Sequence, residues 1–301
     1  MQIFYDLEEL KGVSIGLGFF DGVHSAHREV IKKTVECACA CGVKSAIFTF
    51  YKNPLEALSG RKYSYLTTRE EKAKLIETLG VDYLFYLDFE KFKHIEAEDF
   101  IQDILVKHFE PKCIVTGFNN HFGAGGKGNP ELLRQFAEKF NYKYYEMPEI
   151  KKDDETISST LIKKYLEEGK IRTANNLLGR NFKISGSVVA GNRIGRKISY
   201  PTANINWEEN IVKLPYGVYS GYVNFKGQKY LSVINWGMRP TVDSAEVLEA
   251  HILDFDADIY GEKIEIEFLD YVRVSKKFNS LDELKAQIAK DKDYIIKQHS
   301  R

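Results

Sequence analysis

The sequence predicts two domains of different fold class, an α/β domain with a parallel sheet followed by an antiparallel sheet or small barrel. Its 301 residues are enough for about two domains. In the first half, strand-like apolar segments alternate with helix-like segments, which is typical of a parallel sheet covered on both faces. In the second half, strand-like segments follow one another closely and are separated by short turns, which favours an antiparallel arrangement.

The α/β alternation can be followed along the first half. Strands are predicted over 13–20, 45–50, 83–87 and 113–116. Helices are predicted up to about 41, over 72–79 and 96–108, from 130 onward, and over about 159–168. Thr67 with Glu70 matches a capping box ahead of the second of these helices. Ligands of such sheets bind at the carboxyl ends of the strands, so the loops that follow the strands are the place to look for a site.

The elements of the second half are mostly strands. They are predicted over 184–190, 216–225, 229–235, 247–255 and 263–274, and Ser280 is predicted to cap a final amphipathic helix. Lys and Arg together number 43 and are balanced by 43 Asp and Glu, which argues against a general nucleic-acid-binding protein. There is no apolar run of the roughly 18 residues that a membrane helix needs, and no targeting segment is recognised, so we expect a cytoplasmic protein.

The four cysteines do not have the spacing of a zinc site. Cys37, Cys39 and Cys41 alternate in a helix-like segment, and Cys113 stands alone. Only the first and third of the cluster share a helical face, and no histidine accompanies them. Reduced, packed thiols are therefore expected, which again fits the cytoplasm.

A pair of histidines lies where the first strand passes into a helix. Phe20 ends the strand, Asp21 opens a turn, and His24 and His27 follow three residues apart. On a first helical turn the two imidazoles share a face beside backbone N–H groups that have no helical partner. They could donate to a phosphate there, and the helix dipole favours the anion. The alternative is a pair of ordinary surface histidines.

A second group of polar residues opens the helix near position 160. Ser158 or Ser159 is expected to cap this helix. With Thr160 and Lys163, the two serines also place hydroxyls and a cation at a helix N-terminus that could face a phosphate. The alternative is a helix cap without further function.

A glycine-containing basic stretch in the second half ends in Pro-Thr-Ala-Asn. Gly191 and Gly195 allow the main chain to approach a ligand closely, and Arg196 supplies positive charge for a phosphate. Thr202 and Asn204 offer neutral oxygen ligands, which suit a Mg²⁺ ion that also holds substrate phosphates. The alternative is a surface turn with a basic flank.

One carboxylate stands within an apolar strand of the second half. Glu249 and His251 lie two residues apart and therefore on one face of the strand. An acidic residue in that setting needs a partner or a ligand, and it could act as a general base. The alternative is an edge strand with the carboxylate in water.

Both halves resemble the bacterial bifunctional riboflavin kinase/FMN adenylyltransferase (FAD synthetase) family. The motifs that carry the resemblance include Phe-Asp-Gly-Val-His-x-x-His (20–27), Leu-Thr-Thr-Arg-Glu-Glu-Lys (66–72), Ser-Ser-Thr (158–160), Gly-x-x-x-Gly-Arg (191–196), Pro-Thr-Ala-Asn (201–204), Glu-x-His (249–251) and Asp-x-Tyr-Gly (258–261). The resemblance implies a nucleotidyltransferase-like, Rossmann-like domain over 1–182. It also implies an antiparallel six-stranded β-barrel with a terminal helix over 183–301.

The resemblance also implies two reactions. Riboflavin and ATP would give FMN in the second domain, with Thr202 and Asn204 on Mg²⁺-ATP, Glu249 as the base for the ribityl 5′-hydroxyl, and Arg273 at the flavin. FMN and ATP would give FAD in the first domain. There the ATP and phosphate groups are assigned to Phe20, Asp21, His24, His27, Ser158, Ser159, Thr160 and Lys163. The expected partners are small molecules, with neither nucleic acid nor membrane among them.

Several positions depart from the family motifs in the first half and weaken the expectation of FAD formation. Ala26 stands where the family has glycine, and Lys163 stands where it has arginine. If φ at position 26 were positive, alanine there would cost about 1 kcal/mol. Two alternatives therefore remain, a monofunctional riboflavin kinase with a degenerate N-terminal domain and a non-catalytic flavin or nucleotide sensor.

Overall fold

The computed structural model describes the chain except for residues 192–199, 209, 239–245 and 300–301. The chain divides into two compact units, Met1–Ser159 and the residues from Thr160 onward. The division falls at the start of a helix, ahead of the boundary at 182/183 predicted for the two domains. No described helix is both long enough and apolar enough to cross a bilayer.

The first unit is built on a sheet of six parallel strands. The strands are β1 (Gln2–Phe4), β2 (Val13–Leu17), β3 (Lys44–Phe50), β4 (Tyr83–Leu87), β5 (Cys113–Gly117) and β6 (Lys143–Met147). They lie in the order β1-β4-β3-β2-β5-β6, which confirms the predicted α/β class. The sequence pattern missed β1 and β6, because both are edge strands and neither contains a continuous apolar run. A two-stranded ribbon follows, made of β7 (Lys151–Lys152) and β8 (Glu155–Thr156).

Helices cover both faces of this sheet. They are α1 (Ser25–Cys41), α2 (Pro54–Ser59), α3 (Arg69–Glu77), α4 (Ala97–Asp99), α5 (Lys107–Phe109) and α6 (Pro130–Phe140), and a π-helical segment, Phe100–Val106, joins α4 to α5. The predicted cap of α3 is wrong by one residue. Thr68, not Thr67, is the N-cap, and its hydroxyl accepts the backbone N–H of Glu71. Both threonines have glutamate three residues later, so the pattern alone does not choose between them.

Alternate residues of the central strands feed two separate cores. Ile15 and Phe48 lie in the core beneath α4, α5 and α6, whereas Ile47 and Val115 lie in the core beneath α1 and α3. The strand order reverses between β2 and β5, which is the topological switch point of the sheet. The loops that leave the carboxyl ends of these two strands therefore lie where open α/β sheets bind ligands.

The second unit is a closed six-stranded antiparallel barrel with a terminal helix, as predicted. It comprises α7 (Ser159–Glu167), α8 (Ile171–Leu178), β9 (Phe182–Val189), β10 (Ala203–Trp207), β11 (Gly217–Phe225), β12 (Gln228–Met238), β13 (Glu246–Ile252), β14 (Lys263–Val274) and α9 (Leu281–His299). The order around the barrel is β10-β13-β12-β11-β14-β9. Only β10 was missed by the sequence pattern, since it is short and contains two asparagines.

Two helices are fastened to the barrel. On α8, the Asn175 side chain donates to the Phe268 carbonyl (2.8 Å) and accepts from the Phe182 backbone N–H (2.7 Å), so it joins β14 to β9. The last helix begins at the predicted cap, where the Ser280 hydroxyl accepts the N–H of Glu283. Ile295 of α9 is fully buried in a cluster with side chains of the barrel strands.

Candidate active sites

The loop that leaves β2 is a strained turn. Phe20 (φ 56°) and Val23 (φ 40°) both have positive φ, which is unusual for large or β-branched side chains. Gly22 has φ 77°, and a Cβ atom there would lie 2.7 Å from the side chain of Leu66, so this position requires glycine. Residues in such conformations persist only where the surroundings hold them, and they cluster at functional sites.

The two histidines follow this turn and stack on each other, with ring centroids 3.5 Å apart. His24 is the N-cap of α1 and precedes the helix, so the expectation that both residues lie on its first turn is wrong for His24. Its Nδ1 accepts the backbone N–H of His27 (3.3 Å). In a neutral His24 the ring proton is therefore on Nε2.

His27 is half-buried, and its imidazole is uncharged at neutral pH. Burial lowers its pKa well below the usual value, and the neighbouring charges of His24 and Lys72 lower it further. Its Nδ1 atom is buried and has no hydrogen-bond partner among the described residues. A buried polar atom without a partner is expected at a site that a ligand completes.

Ala26 does not strain the backbone. It lies inside α1 and is not among the residues with positive φ, so the condition for a backbone penalty is not met. An alanine is an ordinary residue in the first turn of a helix. The departure from glycine at this position is therefore compatible with a working site.

The turn after β2 is also where three of the sequence motifs meet. Asp21 is 2% exposed, and its Oδ1 accepts the backbone N–H of Leu66 (2.9 Å). The backbone carbonyl of Asp21 accepts the hydroxyl of Ser159 (2.9 Å). Ser158 directly precedes α7. Thr160 and Lys163 lie further along this helix, and their place at the same site stays a prediction.

In the barrel, three polar side chains lie in one row across neighbouring strands. Asn204 of β10 is directly opposite Glu249 of β13, and Glu249 is directly opposite Asn235 of β12. Directly opposed residues point to the same face of a sheet. The neighbours Leu248 and Ala250 are fully buried, so the row lies on the face opposite the barrel interior. Only the register shows that Asn235 belongs with the other two.

Gly191 lies against this row. A Cβ atom at Gly191 would be 2.3 Å from the amide nitrogen of Asn204, which explains why this position requires glycine. Asn204 itself is 7% exposed. The predicted phosphate-binding residues Gly195 and Arg196 lie outside the described residues.

His251 fixes the segment that contains Thr202. Its Nδ1 lies 2.8 Å from the Pro201 carbonyl, and its ring meets the ring of Tyr200 edge-on. Since a carbonyl only accepts, Nδ1 carries the proton and donates it. Burial lowers the pKa of His251, which keeps the ring neutral. Thr202 is thereby held beside β13, close to the row of polar side chains.

Thr202 also borders a cavity of about 420 Å³. The walls are mixed, with apolar side chains such as Val188, Ile252 and Phe255 beside the polar groups of Thr202, Asp256 and Asp258. The Asp-x-Tyr-Gly motif supplies part of the wall.

Arg273 lies on the same face as the polar row, opposite Val218, which is itself opposite Asn235. Its guanidinium binds the carboxylate of Asp291 on α9, with Nε to Oδ1 at 2.9 Å and Nη2 to Oδ2 at 2.7 Å. Asp291 is 4% exposed, so this is a largely buried ion pair. The predicted contact of Arg273 with the flavin stays a prediction beside this structural role.

Comparison with known proteins assigns both halves of the chain to one family. Residues 6–161 match the family model described as FAD synthetase, and residues 178–298 match the one described as riboflavin kinase. The chain belongs to the riboflavin kinase/FAD synthetase family. The two matched regions of the family correspond to the α/β sheet and to the barrel, respectively.

Curated relatives in this family match over nearly the full length. A bifunctional riboflavin kinase/FMN adenylyltransferase from Buchnera aphidicola (subsp. Schizaphis graminum) is 35% identical, over 99% of this chain and 98% of its own. The protein of the same name from Escherichia coli (strain K12) is 35% identical, over 93% and 91%. A crystal structure described as a macrolide-efflux protein from Streptococcus pneumoniae has a TM-score of 0.89 at 28% identity and covers 99% of both chains.

Proposed function

We propose that this chain makes FMN from riboflavin and ATP at its barrel, and FAD from FMN and ATP at its α/β sheet. The observation that carries the kinase assignment is the register that sets Glu249 directly opposite Asn204, with Gly191 against the amide. The adenylyltransferase assignment is supported by the stacked His24 and His27 at the switch point. The family match over both regions supports assigning each reaction to its own domain, 1–182 and 183–301.

In the kinase reaction, the Glu249 carboxylate accepts the proton of the ribityl 5′-hydroxyl as its oxygen bonds to the γ-phosphorus of ATP, and ADP leaves. The side-chain oxygens of Thr202 and Asn204 are neutral donors that fit a Mg²⁺ ion whose other ligands are phosphate oxygens and water. Such an ion would neutralise charge on the phosphates. The cavity beside Thr202 would receive the adenine ring.

In the adenylyl transfer, a phosphate oxygen of FMN bonds to the α-phosphorus of ATP and pyrophosphate leaves. The attacking phosphate is already ionised at neutral pH, so the site needs no general base. It must stabilise charge on the transferring phosphorus group, which the Nε2–H of His24 and the N-terminal N–H groups of α1 can do. A neutral His27 adds a donor without burying a second cation.

The partners in this proposal are riboflavin, FMN and ATP, with Mg²⁺ as the metal. A cytoplasmic location is part of the same proposal, because ATP is consumed in both steps. Four free cysteines fit a reducing compartment.

The proposal is tested by incubating the protein with riboflavin, ATP and Mg²⁺ and separating the flavins by chromatography. We expect FMN to appear first and FAD to follow. FMN without FAD would support the monofunctional kinase instead. If riboflavin is bound but neither product forms, the chain is a sensor and the enzyme assignment is wrong.

A further inference from the structure

A buried lysine joins the exits of two central strands in the α/β unit. Lys72 of α3 is 4% exposed, and its Nζ donates to the backbone carbonyls of Phe19 (2.9 Å) and Phe50 (3.0 Å). The ammonium also lies 4.3 Å from the ring centroid of Phe19 and 4.8 Å from that of Tyr86. Phe19 follows the end of β2 and Phe50 ends β3, so one side chain sets the spacing between the two exits.

Thr49 reinforces the same carbonyl. Its hydroxyl donates to the Phe19 oxygen at 2.9 Å and lies 3.4 Å from the Lys72 Nζ. The Phe19 carbonyl therefore has two donors and is fixed in place immediately before the strained turn. The next residue, Phe20, has φ 56°, and Val23 at the end of the turn has φ 40°. Strain of this kind is kept only where neighbouring contacts prevent relaxation.

We propose that Lys72 is a positioning residue for adenylyl transfer, which holds the strained turn in the shape that presents His24 and His27 to the phosphates. This inference rests on the proposed function of the α/β unit. Lys72 acts through the backbone and does not touch the nucleotide, since two carbonyls and two aromatic rings enclose its ammonium. An apolar side chain could fill the same space at a smaller desolvation cost, but it could not hold the two carbonyls.

The test compares Lys72→Met with Lys74→Met in the full-length protein. Lys74 lies two residues along the same helix and is exposed, so it controls for loss of a positive charge from α3. In Lys72→Met, we expect kcat for FAD formation from supplied FMN to fall about 100-fold, the effect of misplacing catalytic groups by about 1 Å. KM for ATP changes much less, and riboflavin phosphorylation by the same sample is unchanged.

A second variant and a second readout keep the test decisive. Thr49→Val removes the other donor to the Phe19 carbonyl while keeping the shape of the side chain. We expect it to lower kcat for FAD formation by a smaller factor than Lys72→Met does. This variant decides the test if Lys72→Met does not fold. The imidazole resonances of His24 and His27 in NMR spectra should shift in both variants and stay in place in Lys74→Met.

The inference is overturned if a folded Lys72→Met keeps the wild-type kcat, or if the histidine resonances do not move. It is also overturned if riboflavin phosphorylation falls in parallel, because that would indicate a general loss of folded protein. If the wild-type chain forms no FAD, the proposed function fails, and the histidine resonances still decide the role of Lys72.

Discussion

Removal of the buried lysine should change how the stability of the α/β unit depends on pH. Burial lowers the pKa of Lys72 from 10.5 to about 7, with a smaller opposing contribution from Asp21 and a smaller lowering one from Arg69. Between these two pKa values the unfolded chain binds a proton that the folded chain lacks. The free energy of unfolding therefore rises with pH in that window. Below pH 7 both states are protonated, and Lys72 contributes no pH dependence there.

The size of the effect follows from the width of the window. Where the two states differ by one bound proton, the free energy of unfolding changes by about 1.4 kcal/mol per pH unit. The free energy of unfolding of the wild-type protein should therefore rise by about 2 kcal/mol between pH 7 and pH 9. Lys72→Met has no group that titrates at this position and should lack that gain. Tyrosines and other lysines titrate in both proteins, so their contributions cancel in the comparison.

The assay is urea unfolding at pH 7 and pH 9, followed by two probes. Both tryptophans, Trp207 and Trp236, belong to the barrel unit, so their fluorescence reports that unit, whereas circular dichroism reports both units. A transition seen by circular dichroism alone belongs to the α/β sheet. If Lys72→Met gains as much stability as the wild type between pH 7 and pH 9, Lys72 titrates in its ordinary range and the prediction is wrong. Lys74→Met should match the wild type.

Three further predictions concern the barrel. Gly191→Ala should lower kcat/KM for riboflavin phosphorylation about 100-fold, because its Cβ displaces the Asn204 amide, and FAD formation from FMN should be unchanged. Arg273→Met should lower the free energy of unfolding by about 3–5 kcal/mol, because Asp291 stays buried without its ion-pair partner and keeps only the Gln287 amide as a donor. Removing both charges should cost less than the sum of the single changes. Tryptophan fluorescence during urea unfolding measures the stability of the single and double variants. If the two single losses simply add in the double variant, the ion pair does not have this role. His251→Ala should raise KM for ATP about tenfold, because an active-site segment loses its tether, whereas an asparagine that keeps a donor should do less harm. Equal kinetics in both His251 variants would show that this hydrogen bond is not needed.

The sequence predicted the fold class of each half because hydrophobic periodicity is a local signal. The central strands of the sheet were found since they are continuous apolar runs, such as 45–50 and 83–87. Edge strands and β10 were missed because their side chains are mixed and their pairing depends on distant partners. Closure of the barrel came from family resemblance, since periodicity does not distinguish a barrel from an open sheet.

In the candidate sites, too, the local sequence pattern identified single residues, whereas their partners depend on the fold. Glu249 was found because a carboxylate in an apolar strand needs an explanation, but its position opposite Asn204 is set by long-range register. Lys72 belongs to the motif at 66–72, but the pattern assigns it no role, although it stands next to Ala73 and four residues before Ile76 on the buried face of α3. That placement of a lysine on an apolar face was the available signal. The carbonyls that it holds could be identified only from the folded chain.

Paired variants decide whether one chain carries two independent catalytic sites, as proposed above. Riboflavin phosphorylation and FAD formation from supplied FMN should be measured separately in Glu249→Gln and His24→Ala. We expect Glu249→Gln to lose FMN formation and keep FAD formation, and His24→Ala to do the reverse. Loss of both activities in either folded variant, or riboflavin phosphorylation at the wild-type rate by Glu249→Gln, would contradict this expectation.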